Sequence, residues 1–409
     1  MTAQPVEASP DAPLASPAAA AGGLTRSGAA RIDAIDRLRG LVIVLMVLDH
    51  VRDFFHDIAF TADPLAMDSG DPALFMTRWV THLCAPTFVF LSGVSIWLQR
   101  ANGKGRGDLG RFLLTRGLWL IFLELTVIQY AFNFGGGVVL LVIWAIGAAM
   151  IAMAGLVWLP RAALLGLGVA LVAGHQLLAP IDPPDVGVLA PLWSAMFEVG
   201  PGLGGLVLYP FAPWLGVMLL GYGLGPVFQQ PEGERNRTIL LLAGGMLVLF
   251  AVARGINLYG DPQPWAVQAG PLWTALSFIN VSKYPPSLDY VLVTLGVSLA
   301  LLLLPLLGRL GGPAGGVLLT FGRTPLFAYV LHILLAHTLA LVVGSLMGVP
   351  PSAFFNMLGD PSRAVAAGWG FDLAGVYVAW LAVLAMLYPL SRWFEGVKRR
   401  RRDWWLGYL

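Results

Sequence analysis

The chain has 409 residues, of which 57% are hydrophobic and only 12% are charged, and its mean hydropathy is +0.75. A soluble globular protein needs many more polar residues to cover its surface, so this composition excludes that class and predicts a polytopic helical membrane protein. The net charge is only +2, from 25 basic and 23 acidic residues, and does not predict binding to nucleic acid. The single cysteine, Cys84, excludes an intramolecular disulfide and a cysteine-based zinc site.

Residues 1–30 are rich in alanine, proline, serine and glycine and contain no sustained apolar run. This composition predicts a disordered N-terminal tail without a cleavable signal peptide. Beyond the tail, apolar segments near 20 residues long predict an all-α transmembrane bundle with about ten spanning helices. The predicted spans are 38–57, 75–98, 110–132, 138–158, 161–179, 211–228, 237–257, 287–307, 323–345 and 371–394. They define a transmembrane domain over residues 31–395, which a basic C-terminal tail follows over residues 396–409.

The charged residues between the predicted spans are distributed asymmetrically. Basic residues such as Arg100, Lys104 and Lys398 fall on one side, and acidic residues such as Asp63 and Asp71 fall on the other. Short loops on the cytoplasmic side of membrane proteins are enriched in lysine and arginine. The pattern therefore predicts that both termini are cytoplasmic, which agrees with an even number of spans.

Arg39 and His50 lie eleven positions apart in the first predicted helix. At about 1.5 Å of rise per residue, they place a cation at one membrane face and an imidazole roughly 16 Å deeper. Ionisable groups within a membrane are costly unless they face a protein interior or a wet cavity, so they are candidates for function. Asp53 follows His50 by three residues and can contact its imidazole, as in a general base. The alternative is a structural network between helices, with Arg39 as a positive-inside anchor.

The connection between the seventh and eighth predicted spans is too long for a simple turn. It contains Asn280 and then Lys283 and Tyr284 directly before two prolines. Non-helical backbone at membrane depth is tolerated where it is buried in protein or lines a cavity. We therefore expect this string near a site, with an aromatic belt at the lipid headgroups as the alternative.

Histidines in two further helices are candidates for substrate contacts. His82 follows Arg78 by four residues in the second predicted helix, close to Cys84. Cys84 is more typical of a buried packing residue than of an acyl-carrying nucleophile. His332 and His337 in the ninth predicted helix are five residues apart, which does not favour a shared metal-binding face. We expect no metal site.

Five ordered segments of the chain carry a family resemblance. They are RLRGLVIVLMVLDHVRDFF, WVTHLCAPTFVFLSGVS, YPFAPWLGVMLLGYGLG, NVSKYPPSLDYVLVTLG and FGRTPLFAYVLHILLAH. Together they resemble the bacterial family related to the catalytic domain of heparan-alpha-glucosaminide N-acetyltransferase, a domain of unknown function often numbered 1624, over about residues 31–395. The spacing of Arg39 and His50 is also similar to the arginine, ten residues, histidine motif of the wider acyltransferase-3 group.

The resemblance implies an integral protein of the bacterial cytoplasmic (inner) membrane. Such a protein transfers an acyl group, usually acetyl, from cytoplasmic acyl-CoA to an external acceptor such as a sugar or glycan, by O- or N-acylation. Its partners would be membrane lipids, acyl-CoA and a glycan or small-molecule acceptor, with no nucleic acid and with a homo-oligomer left open. A proton-coupled transporter or flippase is the alternative, because buried histidine, aspartate and arginine also build proton relays.

In the acyltransferase interpretation, the chemistry falls to four groups of residues. His50, oriented by Asp53, removes a proton from the acceptor. Lys283 or Tyr284 stabilises the oxyanion or holds the acceptor. The acceptor is also expected to contact Asn280, His82 and His332. Guanidinium groups suit the phosphates of CoA, and the candidates are Arg39, Arg37, Arg116 and Arg323.

The sequence departs from the animal members that it resembles at one important position. Those enzymes have asparagine where His50 stands and place their essential histidine in the first luminal loop, at the offset of Thr61. His56 is the nearest imidazole to that offset. The resemblance therefore leaves open whether His50 or His56 is the base.

Overall fold

The computed structural model describes residues 21–58, 62–67, 70–178, 181, 187–303, 312–360, 362–401 and 403–408. These residues form sixteen α-helices, several short 3₁₀ turns, one π-helical turn and three very short strands. The first eight helices are α1 Ala21–Phe55, α2 Pro72–Val80, α3 Cys84–Ala101, α4 Arg106–Leu123, α5 Gln129–Asn133, α6 Val142–Leu156, α7 Arg161–Gly174 and α8 Ala190–Phe197. The others are α9 Phe211–Leu224, α10 Glu232–Ile256, α11 Pro271–Ile279, α12 Leu288–Leu302, α13 Gly312–Arg323, α14 Pro325–Leu346, α15 Ser362–Ala366 and α16 Leu373–Arg400.

The strands form one small sheet beside the bundle. Strand β1, Val139–Leu140, pairs in parallel with β3, Gly205–Val207, and β3 pairs antiparallel with β2, Gly200–Gly202. The fourth predicted span, 138–158, therefore begins with extended backbone, and its helix starts only at Val142. The sheet fixes the start of α6, whose first turn borders the cavities described below.

A helix lies at each of the ten predicted positions, and seven helical segments of the described residues are long and apolar enough to cross a membrane. The protein is therefore an integral membrane protein. The seven segments are Pro72–Ala101, Arg106–Asn133, Arg161–Leu178, Phe211–Gln229, Glu232–Ile256, Pro325–Leu346 and Leu373–Arg400.

The helices at the first, fourth and eighth predicted positions are outside that set, for two reasons. Helix α1 is 35 residues long but carries four charged side chains between Arg39 and Asp53. Helices α6 and α12 have only 15 residues each in the described chain. The end of the eighth predicted span, at 304–307, lies outside the described residues.

The two ends of the chain differ in part from their predicted form. Residues 1–20 of the predicted tail lie outside the described residues, and residues 21–30 are helical backbone at the start of α1. The last proline before this helix is Pro17, so no ring interrupts α1 after Ala21. At the other end, α16 continues past the predicted span to Arg400, and a 3₁₀ turn, Trp404–Tyr408, follows.

Glycines allow the helices of the bundle to pack at very short separations. A Cβ atom placed on Gly117 of α4 would lie 2.6 Å from the carbonyl oxygen of Gly147 in α6, and one on Gly147 would lie 2.8 Å from the carbonyl oxygen of Gly117. Small residues at such crossings are characteristic of membrane helices, which associate through close packing. The pair holds together α4 and α6, which both line the first of the two cavities described below.

The second predicted span is interrupted at His82. Helix α2 ends at Val80, the 3₁₀ turn Thr81–Leu83 follows, and α3 begins at Cys84. Pro86 has no N–H group to donate to the carbonyl oxygen of His82, four residues earlier. The Tyr290 hydroxyl donates to that oxygen instead, at 3.0 Å. The break therefore ties the second predicted span to α12.

The third predicted span is interrupted at Glu124, where one turn of π-helix, Glu124–Ile128, separates α4 from α5. The Glu124 carboxylate is fully buried and accepts hydrogen bonds from Gln129 Nε2 at 3.1 Å and from the backbone N–H groups of Leu141 at 3.4 Å and Trp144 at 3.1 Å. A carboxylate at the free N–H groups of a helix start is favourable. Glu124 thus fixes the N-terminus of α6.

Candidate functional site

Two cavities lie inside the bundle. The first has mostly apolar walls and encloses about 810 Å³ of empty space, including its mouth. It extends from Arg116 and Ser92 towards His50 and is lined by Met46, Asp49, His50, Cys84, Ala85, Phe88, Ser92, Arg116, Leu120, Val142, Ile143, Ile146, Met150, Tyr209, Lys283, Pro325, Leu326 and Tyr329. We call it the apolar cavity.

The second cavity is more polar and encloses about 1030 Å³, also including its mouth. Its walls carry charged residues from the end of α1 and from the following loop, among them Asp53, His56 and Asp63, together with Arg78 and Tyr284. We call it the polar cavity. The two cavities share six lining residues, which we call the junction: Asp49, His50, Val142, Tyr209, Lys283 and Tyr329.

His50 is hydrogen-bonded to a second histidine. Its Nδ1 lies 2.7 Å from Nε2 of His332, and the two rings are nearly parallel, with centroids 4.9 Å apart. Nδ1 of His332 lies 3.0 Å from the carbonyl oxygen of Ala328. His332 is fully buried on α14 and is absent from the described lining of both cavities. The geometry therefore places it behind His50, and not at the predicted acceptor contact.

Asp53 does not hydrogen-bond His50 in the described residues. Its carboxylate pairs with the guanidinium of Arg52, in a very short contact. The i, i+3 spacing permitted the predicted contact, but a buried arginine needs a carboxylate partner, and Asp53 supplies one while the His50 ring turns towards α14. Asp53 lines the polar cavity.

Asp49 is the centre of the charged cluster at the junction. Its carboxylate accepts two hydrogen bonds from Arg78 Nη1, at 2.6 and 2.8 Å, and one from the Thr81 hydroxyl at 2.8 Å. Arg52 Nη1 lies 3.2 Å from the same carboxylate, and Lys283 Nζ lies 3.9 Å from it. Three cations therefore surround Asp49, and with Asp53 the cluster carries one excess positive charge.

Lys283 lies on the opposite side of the junction, beside Tyr209 of the junction and Tyr284 of the polar cavity. Lys283 is 7% exposed and lines both cavities, with its ammonium 5.2 Å from the ring centre of Tyr284 and 5.9 Å from that of Tyr209. The two tyrosine hydroxyls are 3.4 Å apart. Burial alone would raise the pKa of Tyr284, but the positive charges of Lys283 and Arg78 outweigh it, and the pKa is lowered. The junction thus presents donors and positive charge to any group bound there.

His56 follows the end of α1 and lines the polar cavity. Its Nδ1 lies 2.8 Å from the carboxylate of Asp57. Burial lowers the pKa of His56, and the charge of Asp57 opposes this effect. His56 therefore lies at the polar cavity but outside the junction. Thr61, at the offset of the animal histidine, is outside the described residues.

Besides His332, two predicted acceptor contacts, Asn280 and His82, are not among the described lining residues of either cavity. Asn280 donates to the carbonyl oxygen of Leu65 at 3.2 Å, which ties its loop to the loop after α1. The His82 side chain is 1% exposed, and its ring packs edge-on against Tyr290 at 5.3 Å. His82 lies in the 3₁₀ turn Thr81–Leu83, and its side chain is in the packed interior. Asn280 and His82 therefore contact neighbouring segments of the protein, outside the described cavity linings.

Of the four arginines expected at the CoA phosphates, only Arg116 is among the described lining residues of the two cavities. Arg39 donates to Asp36 at 2.9 Å and to the Ser95 hydroxyl at 2.6 Å, so it ties α1 to α3. Arg37 is half-buried on the same helix.

Arg323 ends α13 and is bound by carboxylates from two other helices. It lies 3.0 Å from Asp33 of α1 and 3.0 Å from Glu395 of α16. These ion pairs join three helices at the end of the bundle where Arg39 lies. They occupy the Arg323 guanidinium, and the basic side chains among the described lining residues of the apolar cavity are Arg116 and Lys283.

The C-terminal turn packs beside Arg116. The Arg116 guanidinium donates to the carbonyl oxygen of Gly407, and the Tyr408 hydroxyl lies 2.8 Å from that of Thr115. The Tyr408 ring also packs on Phe112, with centroids 5.8 Å apart. Residues 403–408 therefore lie next to one end of the apolar cavity.

Cys84 lines the apolar cavity. Its thiol is buried and lies 3.5 Å from the carbonyl oxygen of Val42. These contacts are those of a packing residue. No group of three or more histidine, cysteine, aspartate or glutamate side chains in the described chain is arranged to hold a metal ion.

Sequence reasoning missed four residues of the junction: Asp49, Val142, Tyr209 and Tyr329. Asp49 could have been found, because it directly precedes His50 and lies three residues before Arg52, so one turn of α1 brings a carboxylate, an imidazole and a guanidinium together. Tyr209 and Tyr329 are far apart in sequence and carry no local signal. The fold alone brings them to His50.

Part of the chain matches a protein-family model. The sequence model described as heparan-alpha-glucosaminide N-acetyltransferase, catalytic, matches residues 31–257, which is more than half of the chain and includes α1, Arg116 and Tyr209. None of the curated proteins compared with the chain matches it significantly. The chain belongs to the heparan-alpha-glucosaminide N-acetyltransferase catalytic domain family.

Proposed function

We propose that this protein is a membrane acetyltransferase that moves an acetyl group from acetyl-CoA to an acceptor on the opposite side of the membrane. The observation that carries the proposal is the junction: an apolar cavity and a polar cavity meet at His50 and Lys283. Two substrates could therefore approach one imidazole from two directions. The family is one of membrane acetyltransferases, and it gives no support to the alternative of a transporter or flippase.

The apolar cavity is the proposed donor site. Its walls of leucine, isoleucine and methionine suit the pantetheine arm, which is uncharged and flexible. Arg116 at its far end is the proposed partner of a CoA phosphate, since guanidinium groups bind phosphate oxygens through paired hydrogen bonds. Arg39, Arg37 and Arg323 would add positive charge around this mouth without entering the cavity.

The polar cavity is the proposed acceptor site. Its carboxylates, arginines and tyrosines can bind hydroxyl and amino groups, as a sugar or glycan presents them. His56 and Asp53 would contact the acceptor there. In this proposal the acidic side of the protein faces outwards, both termini are cytoplasmic, and the membrane is a bacterial cytoplasmic (inner) membrane. Lipids, acyl-CoA and the acceptor are its partners.

The transfer step follows from the groups at the junction. His50 Nε2 removes the proton of the acceptor hydroxyl or amine while the acceptor oxygen or nitrogen forms a bond to the acetyl carbonyl carbon. Lys283 and the hydroxyl of Tyr284 or Tyr209 donate to the carbonyl oxygen as it gains negative charge. The C–S bond then breaks, the electron pair leaves with the CoA sulfur, and the proton held by His50 returns to that thiolate. Free CoA and the acetylated acceptor are the products.

The experiment that tests the function uses purified protein with acetyl-CoA, and glucosamine as a probe acceptor. We expect acetyl-CoA to raise the melting temperature, and free CoA thiol to appear in equal amount to acetylated amine. Arg116→Met should weaken the thermal shift, whereas Arg111→Met, an exposed arginine on the same helix, should not. Absence of any thermal shift with acetyl-CoA in the wild type would refute the donor site and the proposed function.

A further inference from the structure

We infer that His332 is a positioning residue that holds His50 in the tautomer whose Nε2 is unprotonated. The inference rests on the proposed role of His50 as the base. It assigns to His332 a role behind the site, since His332 is fully buried and outside the described cavity linings.

The carbonyl oxygen of Ala328 fixes the first proton of the chain. This oxygen can only accept, and it lies 3.0 Å from Nδ1 of His332, so Nδ1 must carry the hydrogen. Ala328 lies four residues before His332 on α14, at the helical spacing where a carbonyl also faces the backbone N–H of residue 332. A carbonyl oxygen has two lone pairs and can accept from both groups.

The second proton follows from the first. The described hydrogen bonds of the His332 side chain go to Ala328 and His50, with no carboxylate among them. A buried charge without a partner is costly, so His332 is neutral and its Nε2 has a lone pair. Nε2 can then only accept, and Nδ1 of His50, 2.7 Å away, must donate. A neutral His50 with its hydrogen on Nδ1 has its lone pair on Nε2.

Contacts on the ring of His50 keep this nitrogen turned away from His332. Phe132 and Tyr329 pack edge-on against the His50 ring, with centroids 5.2 and 6.3 Å away. His50 lines both cavities, and the described residues offer no hydrogen-bond partner to its Nε2. The nitrogen left for a substrate is therefore the one that can take a proton. The opposite tautomer would present an N–H group there and could not act as a base.

The test compares His332→Leu with His332→Gln. Leucine removes the acceptor, so the His50 ring loses both its fixed tautomer and its orientation, and we expect kcat to fall by about 10-fold to 100-fold, with little change in the KM for acetyl-CoA. Glutamine can place an amide oxygen near the position of Nε2 and should recover most of the loss. His175→Leu is the matched control, because Nδ1 of His175 lies 3.0 Å from the carbonyl oxygen of Leu171 in the same i, i−4 geometry, away from the junction.

Nitrogen NMR of histidine-labelled protein gives a readout that does not depend on activity. The His50 signals, identified by their loss in His50→Asn, should show protonated Nδ1 and unprotonated Nε2 in the wild type, and a mixture of tautomers in His332→Leu. Protonated Nε2 in the wild type would overturn the inference, even if the leucine variant fails to fold. So would an unchanged tautomer and an unchanged kcat in that variant. Full activity of His50→Asn would instead refute the base assignment within the proposed function, and the spectrum would still decide the tautomer.

Discussion

The Asp49 carboxylate compensates the positive charges that surround it at the junction. It holds Arg78 by two short hydrogen bonds and lies within 4 Å of Arg52 and Lys283. Removing one partner of a buried ion pair leaves an uncompensated charge and costs about 3 kcal/mol or more. We therefore expect Asp49→Asn to lower the melting temperature in detergent and to abolish transfer. Asp360→Asn, in an exposed pair with Arg363, is the control and should change the melting temperature much less. Equal shifts for the two variants would contradict the role of Asp49.

Lys283 has a different role, because it borders both cavities. If its ammonium donates to the carbonyl oxygen during transfer, Lys283→Met should lower kcat by about 100-fold and leave the KM for acetyl-CoA nearly unchanged. Steady-state kinetics with acetyl-CoA as the varied substrate measure both constants. Lys104→Met is the control, since Lys104 lies near Gln99 and Phe112, away from the junction. A rise in KM with unchanged kcat would place Lys283 in ground-state binding of the donor.

At the scale of the helices, apolar runs predicted where the elements lie but not where they break. The interruption near His82 was foreseeable from Pro86, which cannot donate to the carbonyl four residues earlier. The π-turn at Glu124 has no such local signal, because its partners, Leu141 and Trp144, follow after a loop. The predicted site residues His50 and Lys283 line both cavities, whereas Asp53 pairs with Arg52 and not with His50 in the described residues. Spacing decides which side chains can meet, and packing decides which do.

The crossing of α4 and α6 permits a test of packing. Gly147→Val would place a Cβ atom 2.8 Å from the carbonyl oxygen of Gly117, so α4 and α6 must separate. Both helices line the apolar cavity. We expect a lower melting temperature, by several degrees, and weaker binding of acetyl-CoA. Gly155→Val, on the same helix, has no neighbour within 4 Å of the added Cβ and is the control. Equal stability of the two variants would show that α4 and α6 do not pack as described.

The C-terminal turn has a consequence for donor binding. The Gly407 carbonyl accepts from one Nη atom of Arg116, so a phosphate that binds this side of the guanidinium competes with that carbonyl. Tyr408→Ala removes the contacts with Thr115 and Phe112 and should loosen the turn, which we expect to lower the KM for acetyl-CoA about fivefold. Trp404→Ala, at a side chain that is 81% exposed, should leave KM unchanged. A higher KM for Tyr408→Ala would mean that the turn helps to bind the donor.

For the whole molecule, the proposed orientation gives a test of sidedness. Arg116 and the ion pairs of Arg39 and Arg323 are at the end of the bundle that the charge pattern assigns to the cytoplasm. Acetyl-CoA is too polar to cross a bilayer, so sealed inside-out vesicles should consume externally added acetyl-CoA, while right-side-out vesicles should not. Release of CoA thiol measures the reaction, and detergent should make the two preparations equal. Consumption by right-side-out vesicles alone would invert the orientation.

Cys84 allows donor binding to be measured by thiol labelling of the unmodified protein. It is the single cysteine of the chain, and it is buried in the wall of the apolar cavity. A thiol-specific dye can therefore react only with Cys84. It reaches the thiol either through the cavity or when the helices around Cys84 separate transiently. The labelling rate then measures how readily the thiol becomes accessible. The decrease of this rate with added acetyl-CoA gives a binding curve for the donor without any turnover. Unmodified protein, straight from the membrane, is sufficient for both measurements.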